Sequence, residues 1–191
     1  VKIKINSENK VHGFLTFSQL ENKKAFPNLE YGIIRIIICK LISYNENTKE
    51  FQVDYLSGKM GQERDIFEEN TFEPGEYLVY TELNKNIIES STVLSTYSEK
   101  KIEMEQLNIS NFPKVLEKIY TSCAKKSGNV SRFTKDGANE CIKYSNSTPE
   151  GYTYIYIENN EKDITLIESV SYTKFENLKL LEPFKGTSYK D

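Results

Sequence analysis

The sequence predicts a mainly β protein, an antiparallel β-sandwich followed by one amphipathic helix and a β-hairpin segment. Three observations carry that expectation. Residues 1 to 108 break into short apolar or alternating runs separated by polar turns, which is how many short strands at close spacing read. From Phe112 the period changes to that of a helix, and from Gly151 it returns to alternation.

Strands are expected over 1–5, 14–20, 33–41, 51–56, 77–83, 93–97 and 102–107. In the third, Ile33, Arg35, Ile37, Cys39 and Leu41 face one way while Ile34, Ile36, Ile38 and Lys40 face the other. Both faces are mostly apolar, so this strand belongs at the centre of a sheet, covered on both sides. Arg35 interrupts it and calls for a carboxylate partner, because an unpaired buried charge costs several kcal/mol. Ser57-Gly58 is read as the end of one strand and Pro74-Gly75 as the turn before the next, since Pro presets φ and Gly permits positive φ.

Phe112, Val115, Leu116, Ile119, Tyr120 and Cys123 fall on one face of a helix. Ser110 or Asn111 can cap its start, Pro113 suits its first turn, and Gly128 can end it after Lys125 and Lys126, cations that favour the negative end of the helix dipole. Further on, 151–157 and 164–172 read as two strands joined by a loop over 158–163. A boundary near residue 109 separates a sandwich, 1–108, from a helix-plus-strand segment, 109–191, which either packs on the first unit or begins a second sandwich.

Composition narrows the function classes. The chain has 191 residues, 38% of them apolar, with 25 basic against 28 acidic residues for a net charge of −3. That is enough to build a core. It also argues against nucleic-acid binding, which needs clustered cations. The apolar run 36–39 is far too short to cross a bilayer, and no apolar leader is visible. A chain beginning at Val1 rather than Met is expected to be a piece of a longer polypeptide. Three widely spaced cysteines make no disulfide framework and suit a reducing, cytoplasmic setting.

Catalytic chemistry has little to work with. The single histidine, His12, precedes Gly13 in an expected loop, and Cys39, Cys123 and Cys141 sit in no motif that would activate a thiol. No Cys-x-x-Cys spacing brings zinc ligands together, and no glycine-rich phosphate loop is present. No cofactor is expected, and calcium is the one worth weighing, because sandwich loops can gather the oxygens it needs. One loop offers Asn45, Glu46, Asn47 and Glu50; the other offers Glu158, Glu161 and Asp163, with Lys49 and Lys162 diluting their charge. A solvated surface loop is the simpler reading of both.

Tyr152, Tyr154 and Tyr156 alternate along one strand and are the candidate surface for a protein partner, although such a stripe is commonly half-buried packing with wet hydroxyls. Lys23-Lys24, Lys100-Lys101 and Lys125-Lys126 are candidate contacts for peripheral anionic lipid or an acidic partner; each is more simply a solvated face.

An ordered set of segments resembles a known family. Phe14-Leu15-Thr16-Phe17-Ser18-Gln19, Lys23-Lys24-Ala25-Phe26 and the strand from Ile33 to Leu41 look like the opening of the calpain C2-like domain. Glu63-Arg64-Asp65-Ile66-Phe67 followed by Phe72-Glu73-Pro74-Gly75-Glu76-Tyr77-Leu78-Val79-Tyr80 is similar to its polar stretch and Pro-Gly-Glu-Tyr strand, and Tyr97-Ser98-Glu99-Lys100 to its closing strand. Pro149-Glu150-Gly151-Tyr152 and Phe175-Glu176-Asn177-Leu178-Lys179-Leu180 resemble the region that follows in calpain-like proteins of ciliates. The resemblance implies an eight-stranded C2-like sandwich that regulates or docks a papain-like catalytic region carried elsewhere. It brings no catalytic residue to this chain, and at its acidic loop, 43–50, this sequence has only Glu46 and Glu50. The expected function is a non-catalytic interaction or scaffold module, cytoplasmic and in a cytoskeletal or ciliary assembly. The alternative is the calcium- or lipid-responsive regulatory domain of an active calpain-type cysteine protease.

Overall fold

The computed structural model describes residues 1–19, 30–45, 50–84, 91–107, 112–134, 141–147 and 153–159, all within a unit spanning Val1–Asn160. Eight strands come first: β1 (Lys2–Ile5), β2 (Val11–Gln19), β3 (Ile33–Asn45), β4 (Glu50–Gly61), β5 (Asp65–Phe72), β6 (Gly75–Asn84), β7 (Thr92–Ser98) and β8 (Ile102–Glu105). The helix α1 (Phe112–Ser127) follows, then β9 (Val130–Phe133), β10 (Cys141–Ser147) and β11 (Thr153–Glu158). Every ladder is antiparallel. A five-stranded sheet runs β4-β3-β6-β1-β8, a front sheet runs β5-β2-β7, and a rear sheet runs β11-β10-β9. The fold is thus the mainly β, antiparallel arrangement with one helix that the alternation predicts.

The two faces of β3 separate as the sequence pattern requires. Ile34, Ile36 and Ile38 enter the core between the five-stranded and front sheets, against Leu15, Ile66 and Phe72. Ile37 and Cys39 face the other way and meet Val115, Ile119 and Cys123 of α1. The helix therefore covers the outer face of the five-stranded sheet, and its apolar stripe exists to be buried there.

Arg35 lies in this second layer at 5% exposure. Its Nη1 donates to the Tyr120 hydroxyl at 2.6 Å and lies 3.4 Å from the Glu82 carboxylate, while Nε and Nη2 reach Met60 Sδ at 3.4 and 3.2 Å. The carboxylate partner expected from the sequence is present. Gln19, another buried polar residue, uses its whole amide: Nε2 donates to the carbonyls of Gly32 and Glu63 at 2.7 and 2.9 Å, and Oε1 accepts from Gly32 N–H at 3.0 Å. It ties the end of β2 to the chain entering β3 and to the turn after β4.

Both glycine turn signals that end or begin elements at Gly75 and Gly128 are used. Gly75 opens β6 at φ +134°, directly after Pro74. Gly128, at φ +73°, closes α1: its N–H donates to Lys125 O at 3.4 Å and Asn129 N–H to Ala124 O at 3.0 Å, the paired bonds of a Schellman end. Ser110 and Asn111, the candidate caps, lie outside the described residues.

Two expectations need correction. Ser57-Gly58 does not end a strand; β4 continues to Gly61, with Gly58 opposite Ile37. A register shift lies just before it, between Ile38 and Cys39, and a Cβ at Gly58 would come within 3.0 Å of Ile36 O, so the glycine serves a close approach inside the ladder. Residues 65–72, absent from the expected strands, form β5, which begins within the polar stretch 63–67. Alternation there is hidden by Asn70, whose side chain turns inward to donate to Ser57 Oγ at 2.8 Å. The strand expected over 164–172 lies outside the described residues; among them, β11 pairs with β10.

Candidate functional site: the cleft between strand β4, helix α1 and the rear sheet

Helix α1 packs against β4 and also against β10 and β11. Between them lies a cleft of about 810 Å³, with Val53 and Tyr55 on one wall, Lys118 and Lys125 on the helix, and Tyr144 and Tyr156 on the rear sheet. A volume in this range suits a ligand or a few residues of peptide.

The register of the rear sheet places Tyr144 directly opposite Tyr156. Their ring centroids are 5.9 Å apart at 35°. Tyr144 donates to the Glu158 carboxylate at 3.1 Å, and Tyr156 is hydrogen-bonded to Glu117 of α1. Burial pushes both phenols above their ordinary range, and the neighbouring carboxylates push the same way, because each disfavours a phenolate. Both hydroxyls therefore stay protonated donors. Lys125 Nζ lies 5.6 Å from the Tyr144 ring centroid, a cation over an aromatic face.

The helix also reaches the backbone of β4. Ser122 Oγ accepts from Tyr55 N–H at 2.7 Å, and Lys126 Nζ donates to Tyr55 O at 3.1 Å. The chemistry collected here is recognition chemistry: hydroxyl donors, ammonium groups, ring faces and a strand edge.

Of the residues singled out from sequence, Tyr156, Glu158, Lys125 and Lys126 belong to this cleft. Tyr154 pairs with Asn146 in the rear sheet, and its side chain and Tyr152 lie outside the described residues. Asn45 and Glu50 face each other across the end of the β3–β4 ladder; Glu46, Asn47, Glu161, Asp163, Lys23 and Lys24 lie outside the described residues. Lys100 and Lys101 are exposed between β7 and β8, where Ser98 Oγ donates to Lys100 O. Among the described residues no three His, Cys, Asp or Glu side chains gather as a metal site, and no helix is long and apolar enough to cross a membrane.

His12 lies on β2 rather than in a loop, exposed on the front sheet, with Nε2 2.9 Å from Glu69 Oε1. The three cysteines are buried. Near His12 on the same outer face, Phe14 stacks on Tyr97 at 4.9 Å between centroids.

On the helix side of the cleft, sequence reading singled out Lys125 and Lys126 and missed Glu117, Lys118 and Thr121. Glu117, Thr121 and Lys125 are spaced four apart and so share a helix face, which was legible. Their meeting with Tyr144 and Tyr156 depends on β10, a strand of mixed composition that the alternation did not reveal. The sequence matches no family model and no curated protein, and no solved structure matches the fold.

Proposed function

We propose that this chain is a non-catalytic interaction module whose cleft between β4, α1 and the rear sheet receives a protein partner. The observation that carries the reading is the convergence in one cleft of paired tyrosines held as donors, lysines on the helix and the edge of a strand. Such groups orient and retain a polypeptide. The resemblance of 14–107 to the calpain C2-like domain supports the same role, since that domain implies docking or regulation of a catalytic region and not hydrolysis.

The test is to pan a phage-displayed library of random 12-residue peptides on the full chain and on Thr121→Trp, which fills the cleft from the helix side; circular dichroism checks that the variant folds. Peptides enriched on the native chain and lost on the variant are expected. No enrichment, or binding indifferent to the variant, rules the cleft out as the docking surface. Thiol-dependent hydrolysis of casein by the purified chain, with or without calcium, would overturn the non-catalytic reading.

A further inference from the structure

Among the described residues β4 is the last strand of its sheet, and one row of its backbone groups has no neighbouring strand there. An antiparallel strand turns the N–H and C=O of alternate residues to the same side. At Tyr55 that outward pair is occupied by the helix, through Ser122 Oγ and Lys126 Nζ. Two side chains stand where the backbone of an adjacent strand would stand.

The ladder runs without irregularity from Cys39↔Tyr55 to Leu41↔Val53. The outward pair of Val53 is therefore turned the same way as that of Tyr55, and Val53 lines the cleft. No described residue bonds that pair. Among the described residues the edge is closed at Tyr55 and open at Val53, and Val53 lines the cleft. Unpaired backbone donors and acceptors on an edge are a template for another strand.

We propose that the edge of β4 at Val53 binds an extended peptide segment of a partner protein by strand addition, with an acidic side chain of that segment turned toward Lys125. This rests on the cleft being the docking surface. An extended segment is the occupant whose own alternating N–H and C=O groups match the open pair, which a partner helix, with its backbone bonded internally, does not offer. Charge complementarity sets the acidic preference. Of the wall carboxylates Asp54, Glu117 and Glu158, Glu158 accepts from Tyr144 and Glu117 is engaged by Tyr156 and by Lys118 at 4.0 Å, whereas Lys125 rests on a ring face. An incoming carboxylate meets a cation that lacks a carboxylate of its own in that contact, an arrangement that favours acidic segments and disfavours basic ones.

The experiment takes peptides selected on the full chain and methylates their backbone nitrogens one position at a time. Strand addition expects loss at the one peptide nitrogen that donates to Val53 O, by about tenfold or more for the hydrogen bond removed, with little change at the positions on either side. It also expects slowed hydrogen exchange at the Val53 amide in the complex. Selected peptides should carry Asp or Glu, and Lys125→Ala should erase that preference. Peptides that bind in the cleft yet tolerate methylation throughout, with Val53 exchange unchanged, overturn strand addition and leave the cleft reading standing. Peptides that show the single methylation-sensitive position but no acidic preference overturn the charge assignment. A library that yields no binder sinks both.

Discussion

Arg35 and Tyr120 are 85 positions apart in the chain and joined at 2.6 Å, guanidinium to phenol, so that a charge in the middle of β3 holds α1 onto the sheet. The helix reaches that charge with a neutral donor-acceptor group, and Glu82 completes the pairing from β6.

Removing the hydroxyl by Tyr120→Phe should lower stability by about 1.5 to 3 kcal/mol, the range for a buried hydrogen bond to a charged group. Glu82→Gln should cost less, because that side chain is 37% exposed and water can stand in for it. Urea unfolding at an unchanged slope reads both; a Tyr120→Phe midpoint equal to that of the native chain would show that the bond contributes nothing net.

Gln19→Leu keeps the volume of the side chain and removes its amide. The Gly32 N–H and carbonyl lose a partner in a buried setting and the Glu63 carbonyl in a part-buried one, which should cost about 3 kcal/mol or more in all at roughly 1 to 3 for each group left unpaired. Thermal unfolding checks it. A loss below about 0.5 kcal/mol would mean that water or local shifts replace the amide.

Burial pushes the Cys39 thiol up, and the Cys123 thiol up to about 12. Both protons are held more tightly in the folded chain than in the unfolded one. The resulting stability is complete below the unfolded thiol range near pH 8.5 and is lost as pH rises toward the folded value, at no more than about 1.4 kcal/mol per pH unit for each thiol. Unfolding free energy should therefore decline between pH 9 and 11, and less steeply in Cys123→Ala. In native buffer at pH 8 the thiols should resist a disulfide reagent and react once urea is added; prompt native labelling of Cys39 or Cys123 contradicts their burial.

Glu73 lies 2.6 Å from Lys40 and 3.4 Å from Lys10. The hydrogen bond from Lys40 is the main cause that holds its carboxyl below the usual range, with Lys10 adding to it. A lowered carboxyl favours the folded state above the unfolded carboxylate range, and that benefit fades as pH falls through the folded value. Carboxyl carbon NMR should show the Glu73 midpoint rising toward about 4.3 in Lys40→Met, and rising also in high salt, since an exposed pair is screened. An unmoved midpoint in the variant would remove Lys40 as the cause.

Much of the sandwich was legible because β3 announces itself: alternate isoleucines on both faces can satisfy nothing but two layers, and the structure supplies the front sheet on one side and α1 on the other. The helix was legible for the same reason of periodicity, down to Gly128 at its end. What escaped was set by long-range pairing. β5 hides its alternation because Asn70 has Ser57 to bond, and β10 carries only Cys141 and Tyr144 as well-buried side chains. The cleft was therefore half visible: Tyr156, Glu158, Lys125 and Lys126 could be chosen from sequence, while Glu117 and the edge of β4 meet them only through the fold.

Because α1 lies with one side on β4 and another toward β10, assembly has a direction. The surface that receives α1 is made by β3, β4 and β6, all complete before the helix in the chain. The rear sheet is then docked on a helix already in place. A chain emerging from a ribosome could fold its first eight strands while the rest is still being made. In native-state hydrogen exchange the amides of β9 to β11 should open at lower free energy than those of β3, as a nested unit whose loss leaves the sandwich standing.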